Sequence, residues 1–198
     1  MAEITAQAVN EFRKETGLGL MECKALLKEA DGDMAKADTL AKERGMKKAE
    51  LRAGRAAKAG RIEVYIHHDA RSGVMIELNC ETDFVARNEE FKQLAKDLAL
   101  HIMAANPLYV RREDVPEEAV AEQKRIFMAQ VAEKPLNIQE KIAEGKLTAW
   151  FGESVLMDQM FVKDETKAIR DVILAVNSRT GENISVARFA RFVVGEGR

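Results

Sequence analysis

The chain lacks the features that mark membrane and secreted proteins. No run approaches the ~18 consecutive apolar residues that a membrane-spanning helix needs, and the first five residues lack the charged and apolar blocks of a secretion signal. The two cysteines, Cys23 and Cys80, lie far apart, so they form neither a CxxC pair nor a disulfide framework. We therefore expect a cytoplasmic protein with two reduced, buried thiols.

Signatures of common enzymes are missing as well. The sequence has no GxxxxGK[ST] phosphate loop, no GxGxxG, no HExxH and no GxSxG. His67, His68 and Asp69 are adjacent at a predicted strand end, where successive side chains point to opposite faces, so we interpret them as polar residues of a hairpin end. We expect no covalent chemistry, no cofactor and no protein-bound metal.

One catalytic alternative stays open. Cys80 with His101 could form a thiolate-imidazolium pair, the basis of a cysteine-dependent enzyme. Against this, Cys80 ends an apolar strand pattern, which is where an inert buried thiol usually lies.

Positive charge is concentrated in one stretch. The whole chain has 32% charged residues and a net charge of −2, which gives it no general reason to coat nucleic acid. Residues 44–61, however, hold seven lysines and arginines against Glu50 alone. Because this stretch has no aromatic residue for base stacking, we interpret it as a solvated linker. An adaptor that binds RNA through it is the alternative.

Apolar residues at helical spacing predict three short helices at the start of the chain. The second and third cover residues 20–30 and 33–44. Thr5 and Asp33 are the predicted N-caps of the first and third helices, and Gly45 marks the exit from the last.

Strand and helix patterns are mixed beyond the basic stretch. Residues 61–68 and 73–80 alternate in period two and predict a β-hairpin, with which a strand over residues 183–194 could pair. Asn88 caps the strongest predicted helix, which ends at Asn106-Pro107. Further helices are predicted from Pro116, over residues 138–144 and over residues 166–177.

These patterns predict an α+β fold with three parts. Residues 1–45 form a three-helix domain, residues 46–60 a basic linker, and residues 61–198 a core in which a small antiparallel sheet packs with helices.

Residues 78–88 are the most distinctive segment, because they place apolar and acidic residues between a strand and the strongest helix. Two interpretations are open. Phe84 and Val85 pack under that helix as a hydrophobic staple ahead of the Asn88 cap, or Asp83 and Phe84 project toward a binding partner.

Three blocks resemble the bacterial elongation factor Ts family. They are residues 79–88 (NCETDFVARN), residues 16–26 (TGLGLMECKAL) and residues 181–184 (GENI). They stand in the family's order, and the resemblance runs from Ala2 to the C-terminus.

The resemblance implies a ubiquitin-associated-like N-terminal domain, a linker helix and a dimerisation-type core. It also implies a function, which is guanine-nucleotide exchange on elongation factor Tu during translation elongation. The chain would bind the GDP-bound or nucleotide-free GTPase, disturb its magnesium and phosphate site and promote GDP release.

Site residues follow from the same resemblance. The exchange residues would be Thr82, Asp83, Phe84 and Val85. Phe84 would be the wedge near the partner's magnesium ion, and Asp83 would either fix that wedge or compete for hydrogen bonds of the partner. The implied partner-binding residues come from the N-terminal block, the core helix and the third block, and are Leu18, Met21, Lys24, His101, Gly181 and Glu182.

Larger family members carry a duplicated core and a coiled-coil module, for which this chain has no room. We therefore expect a homodimer, formed through the terminal strand, to supply a second contact surface. No membrane or nucleic-acid partner is expected.

Overall fold

The computed structural model describes residues 4–196, without the side chains of residues 46, 48–50 and 53, which lie in the predicted linker. The fold is α+β with a small antiparallel sheet, as predicted. The α-helices of this range are α1 (Ala6–Thr16), α2 (Leu20–Glu29), α3 (Met34–Ala53), α4 (Asp83–Arg87), α5 (Glu89–Ala105), α6 (Glu117–Ala129), α7 (Leu136–Ser154) and α8 (Ile169–Thr180).

Five strands form two sheets in the described part of the chain. The strands are β1 (Ala59–Ile66), β2 (Ser72–Cys80), β3 (Met160–Phe161), β4 (Asp164–Ala168) and β5 (Ser185–Val193). The larger sheet has the order β1-β2-β5, so the terminal strand pairs with the hairpin as predicted, and β3 pairs antiparallel with β4.

The chain divides into two compact units that interleave along the sequence. The first combines Met1–Gly60 with Asn79–Phe91 and Ile173–Ser185. The second combines Arg61–Leu78, Lys92–Val172 and Val186–Arg198.

A small apolar core holds the first three helices of the first unit together. Thr5 and Asp33 cap α1 and α3 as predicted, because their side-chain oxygens accept from the amides of Ala8 (3.2 Å) and Lys36 (3.0 Å). The buried core residues come from all three helices and are Val9, Phe12, Cys23, Leu26, Leu27, Ala30 and Ala37. Cys23 is therefore a packed core thiol, as expected.

The prediction that α3 ends near Arg44 is wrong, because α3 continues to Ala53. Gly45 does not end the helix. A Cβ at Gly45 would lie 3.2 Å from Ser178 Oγ and 3.8 Å from Leu174 Cδ2, so this glycine lets α3 pass close to α8 within the first unit. The residues that follow are mostly alanine, lysine and leucine, which favour helix until Gly54.

The second unit buries one face of β2 and one face of α5. Val74, Ile76 and Leu78 alternate along β2 and are all buried, while Leu94, Ala95, Leu98 and Ile102 bury the matching stripe of α5. These are the period-two and helical patterns from which both elements were predicted.

The prediction for residues 138–144 and 166–177 is only partly right. The first helix, α7, runs much further, from Leu136 to Ser154. Gly145 and Gly152 stand in open space, where glycine weakens a helix without ending it. Residues 166–168 are strand, because β4 pairs with β3 before α8 begins.

No helix within residues 4–196 is long and apolar enough to cross a membrane.

Gly17 should contribute measurably to stability. Its φ is +70°, and a Cβ there would lie 2.3 Å from Cδ of Arg179. We expect Gly17→Ala to lower the free energy of unfolding by about 1–2 kcal/mol, because a left-handed backbone disfavours any side chain. Urea unfolding followed by circular dichroism measures this difference.

Gly145→Ala is the matched control, since Gly145 is helical and its Cβ position is open. It should leave the free energy of unfolding unchanged or raise it by up to about 1 kcal/mol. Equal stabilities of the two variants would contradict the assignment to Gly17.

Candidate functional site

Thr82–Val85, which we call the Phe84 segment, leads from β2 into α4. Thr82 is the N-cap of α4, with φ −127° and ψ 157°, and its hydroxyl accepts from the Val85 amide at 3.4 Å. After α4, the Asn88 side chain accepts from the Glu90 amide at 2.9 Å, which confirms the predicted cap of α5. The segment thus begins at one capping residue, Thr82, and a second one, Asn88, follows it.

Phe84 projects into solvent. Its side chain is 83% exposed, and α4 has no buried residue, although Val85 is half-buried. The hydrophobic-staple interpretation is therefore wrong for Phe84, because the ring is exposed and not packed under α5. An exposed phenylalanine forgoes about 1.5–3 kcal/mol that burial would give. That free energy is available to a partner that covers the ring.

Asp83 pairs with Arg87 across one turn of α4. The carboxylate and guanidinium are 2.9 Å apart, and both side chains are mostly exposed. An exposed pair at this spacing contributes only a few tenths of a kcal/mol. Asp83 can therefore exchange Arg87 for a different partner at little cost.

Glu182 binds the start of the Phe84 segment through hydrogen bonds. Its Oε2 accepts from the amides of Glu81 (3.1 Å) and Thr82 (3.0 Å), and its Oε1 accepts from the Thr82 hydroxyl (2.5 Å). Charge-assisted bonds of this kind are stronger than neutral ones. The carboxylate thus fixes two consecutive peptide groups immediately before α4.

Glu81 makes the reciprocal contact. Its Oε1 accepts from the Asn183 amide at 2.7 Å, and its Oε2 lies 3.6 Å from Nη1 of Arg55. The Asn183 side chain donates to the Arg55 carbonyl at 3.1 Å. Two loops and Arg55 of the basic stretch therefore meet in one polar cluster.

Cys80 lies beneath this cluster and is fully buried. Its thiol donates to the Thr82 carbonyl at 3.1 Å. Burial, reinforced by the negative charge of Glu182, raises the pKa of the Cys80 thiol to about 11. A thiol in this state is a poor nucleophile, which argues against a cysteine-dependent enzyme.

The N-terminal block presents one face of α2 to solvent. Met21 is 75% exposed, Leu20 is 49% exposed, and Lys24 follows Met21 by three positions on an exposed surface. Leu18, by contrast, is half-buried against the three-helix core. Leu20, Met21 and Lys24 form what we call the α2 face.

Gly181 makes the turn that delivers Glu182. Its φ is +75°, and its amide donates to the Asn177 carbonyl at 2.9 Å, which closes the last turn of α8. A left-handed residue at a helix end favours glycine. Gly181 and Glu182 thus act as a unit, in which one residue turns the chain and the next one binds Thr82.

All three sequence blocks lie in the first unit. Arg179 joins two of them, since its side chain lies against Gly17 and its guanidinium pairs with Glu90 at the start of α5. Sequence reasoning missed Arg55, Glu81, Arg179 and Asn183. Contacts between residues about 100 positions apart, such as Glu81 with Glu182, leave no periodic signal.

His101 belongs to the second unit and is fully buried. The Val162 amide donates to Nδ1 at 3.2 Å, so Nε2 carries the proton that is donated to Gln159 Oε1 at 3.0 Å. Burial lowers the pKa of His101, which keeps the ring neutral. The direct partner contact assigned to His101 stays a prediction, and the geometry is that of a core histidine.

The polar residues at the hairpin end contact one another and the turn. Among the side chains that the structure describes, no group of three His, Cys, Asp or Glu residues is arranged to hold a metal ion. The rings of His67 and His68 lie 4.3 Å apart, and the Asp69 carboxylate accepts from the Arg71 amide at 3.0 Å in the turn between β1 and β2.

Comparison with known proteins gives one consistent result. The family described as elongation factor Ts matches residues 35–196. The elongation factor Ts of Thermotoga maritima is 48% identical over 195 residues, which cover 98% of each chain. That of Thermodesulfovibrio yellowstonii is 51% identical over 194 residues, covering 98% of this chain and 97% of the relative. The chain therefore belongs to the elongation factor Ts family.

Proposed function

We propose that the protein is a guanine-nucleotide exchange factor for elongation factor Tu in the cytoplasm. The observation that carries the proposal is Phe84, an exposed aromatic side chain on a fixed turn. The α2 face lies in the same compact unit and offers a second contact surface. Family membership supports the identity of the partner.

The α2 face docks on the nucleotide-binding domain of the GTPase, and the Phe84 segment enters beside its magnesium site. Phe84 displaces partner side chains there, while Asp83 leaves Arg87 and competes for partner hydrogen bonds. This weakens the hold on the magnesium ion and the phosphates, so GDP leaves. No covalent bond forms or breaks.

The free energy required for exchange must come from both the Phe84 segment and the α2 face. A thousandfold faster release needs roughly 4 kcal/mol off the barrier. Burying Phe84 yields only about 1.5–3 kcal/mol, so docking must supply the remainder. Because coupling between sites is reciprocal, tight nucleotide binding also ejects the factor and closes the cycle.

Release of a fluorescent GDP from elongation factor Tu, with and without the protein, tests this function directly. A stopped-flow trace that the protein does not accelerate would exclude nucleotide exchange.

Removing the wedge should slow exchange without unfolding the protein. We expect Phe84→Ala to lower the stimulated release rate by about ten- to a hundredfold, which corresponds to the loss of the phenylalanine contact. Because the ring is exposed, circular dichroism and the melting temperature should not change. Stopped-flow release over a range of protein concentrations gives the rate.

Leu136→Ala is the matched control, since Leu136 is also a large exposed apolar residue but lies on α7. It should exchange at the wild-type rate. An unchanged rate for Phe84→Ala would remove Phe84 from the mechanism.

We also propose that the protein forms a homodimer through the outer face of the β1-β2-β5 sheet. Ile66 shares this face with Gly73, because a Cβ added at Gly73 would lie 3.5 Å from Ile66 Cδ1. Met75 lies on the same face, because it follows Gly73 by two positions along the strand. Arg188 pairs with Glu77 on the same face. The exposed large apolar residues there are Ile62, Val64, Ile66, Met75 and Phe192.

An exposed face with several large apolar residues on a small sheet is typical of an interface. It includes the terminal strand, through which the sequence predicts dimerisation. A second copy brings a second Phe84 segment and a second α2 face into the assembly.

A charge in this face should dissociate the dimer. We expect Val64→Glu to sediment with the 22.1 kDa mass of one chain, because an unpaired carboxylate in an apolar interface is strongly unfavourable. Sedimentation equilibrium measures the mass. Leu136→Glu on α7 is the control and should keep twice that mass, whereas a wild-type protein with the mass of one chain would contradict the proposal.

The RNA-binding alternative is weakened by ion pairs within the basic stretch. Arg44 pairs with Glu29, Arg55 lies 3.6 Å from Glu81, and Arg61 lies 2.8 Å from Glu63. Paired cations release fewer counterions on phosphate binding, so they contribute less to RNA affinity.

The cysteine-enzyme alternative predicts a different rate of Cys80 alkylation from the one we expect. With a pKa of about 11, about one Cys80 thiol in a thousand is ionised at pH 8. We therefore expect slow alkylation of the native protein, with a rate that rises about tenfold per pH unit from pH 8 to 10. Mass spectrometry of the Cys80 peptide, with urea-unfolded protein as control, measures it. Rapid labelling at pH 7 would favour the enzyme.

A further inference from the structure

The Glu182 carboxylate is committed to contacts within the chain. It accepts three hydrogen bonds, from the amides of Glu81 and Thr82 and from the Thr82 hydroxyl. A carboxylate has about four lone-pair positions, so three of them are used. Both oxygens are engaged, which leaves Glu182 poorly suited to bind another protein directly.

The contact is reciprocal, which makes it a lock between two loops. Glu182, after α8, bonds the backbone before α4, and Glu81, before α4, bonds the Asn183 backbone after Glu182. Each acidic side chain thus satisfies amides that lie outside any helix or sheet ladder. Neither loop can shift without breaking bonds in both directions.

The Phe84 segment needs such a lock. A helix of five residues, the length of α4, is far too short to persist on its own. Phe84 is exposed, so its own packing does not hold it in place. Its direction is therefore set by the N-cap, Thr82, and Thr82 is the residue that Glu182 holds by both backbone and side chain.

We propose that Glu182 is a positioning residue for nucleotide exchange, which presents Phe84 in a fixed direction and acts through the Phe84 segment rather than by contacting the GTPase. The inference rests on the exchange function proposed above. Preorganisation of this kind removes the entropy that would be lost on ordering the segment in the release step, after the α2 face has docked, so its loss lowers the maximal rate rather than the affinity of docking.

Glu182→Gln tests the inference, because glutamine keeps the size but turns one acceptor into a donor that faces N–H groups. Stopped-flow release of fluorescent GDP from elongation factor Tu, over a range of protein concentrations, separates the maximal rate from the half-saturating concentration. We expect a maximal rate on the order of tenfold lower, with the half-saturating concentration within about twofold of wild type. A raised half-saturating concentration with an unchanged maximal rate is the result of a lost partner contact and would overturn the proposal.

A double-mutant cycle with Phe84 gives the second test. If Glu182 acts through Phe84, then Glu182→Gln has no further effect in a Phe84→Ala background, and the two losses are far from additive. Additive losses would show that Glu182 acts independently. Glu29→Gln is the matched control, since Glu29 is an exposed carboxylate of the same unit that pairs with Arg44, and it should exchange like wild type.

Hydrogen exchange reports on the lock without any partner. We expect the amides of Thr82 and Val85 to exchange faster in Glu182→Gln, while the amides of α1–α3 keep their protection, which shows that the variant is folded. Unchanged exchange at Thr82 would overturn the proposal. If the wild-type protein does not accelerate GDP release from elongation factor Tu, the exchange function itself is contradicted. If the wild type and Glu182→Gln accelerate release equally, only the positioning role is contradicted.

Discussion

A side chain that faces water cannot be held in place by its own burial, and this constraint explains the arrangement around Phe84. The ring faces water, and the helix that carries it has no buried residue. Its direction must therefore come from polar contacts on the chain behind it. The carboxylate of Glu182 and the cap of Thr82 provide those contacts, and the buried Cys80 thiol adds a bond to the Thr82 carbonyl.

The same constraint explains why Cys80 is a structural residue. Its sulfur lies under the negative charge of Glu182, in a place shielded from water, and both effects disfavour a thiolate. The geometry that fixes the Phe84 segment is thus also the geometry that makes the thiol unreactive. The contacts that support the segment therefore also keep the Cys80 thiol protonated.

Sequence patterns predict the elements whose side chains alternate between core and solvent. β2 and α5 carry such patterns. The pairing of the terminal strand with the hairpin was also predicted correctly, from the strand patterns of both. The patterns fail at Gly45 and Gly145, where glycine suggests an end and the helix continues. At Gly45 the reason is tertiary, because the missing side chain makes room for α8. No local rule distinguishes that glycine from a helix terminator.

In the candidate site as well, the sequence indicates some residues, whereas other contacts exist only in the folded chain. Asp83 and Phe84 stand out in the sequence because an apolar and an acidic residue occupy a connection, and the choice between packing and projection depends on exposure, which a pattern does not contain. Family resemblance names Glu182 as well, but only as one member of the block at residues 181–184. Its bonds to Thr82 span 100 positions, so they exist only once the chain is folded.

Those long-range bonds bear on how a weak wedge can act at all. In the proposed mechanism, burial of Phe84 contributes only about 1.5–3 kcal/mol. Any part of this free energy that is used to order the segment is no longer available to displace the magnesium ion. In the proposed positioning role, a segment already fixed by Glu182 would deliver nearly the whole amount to the partner. The docking surface then has to supply only the difference between that amount and the roughly 4 kcal/mol required for a thousandfold effect. In the proposed cycle the coupling is reciprocal, so nucleotide that rebinds the partner weakens the partner's affinity for the protein by the same factor.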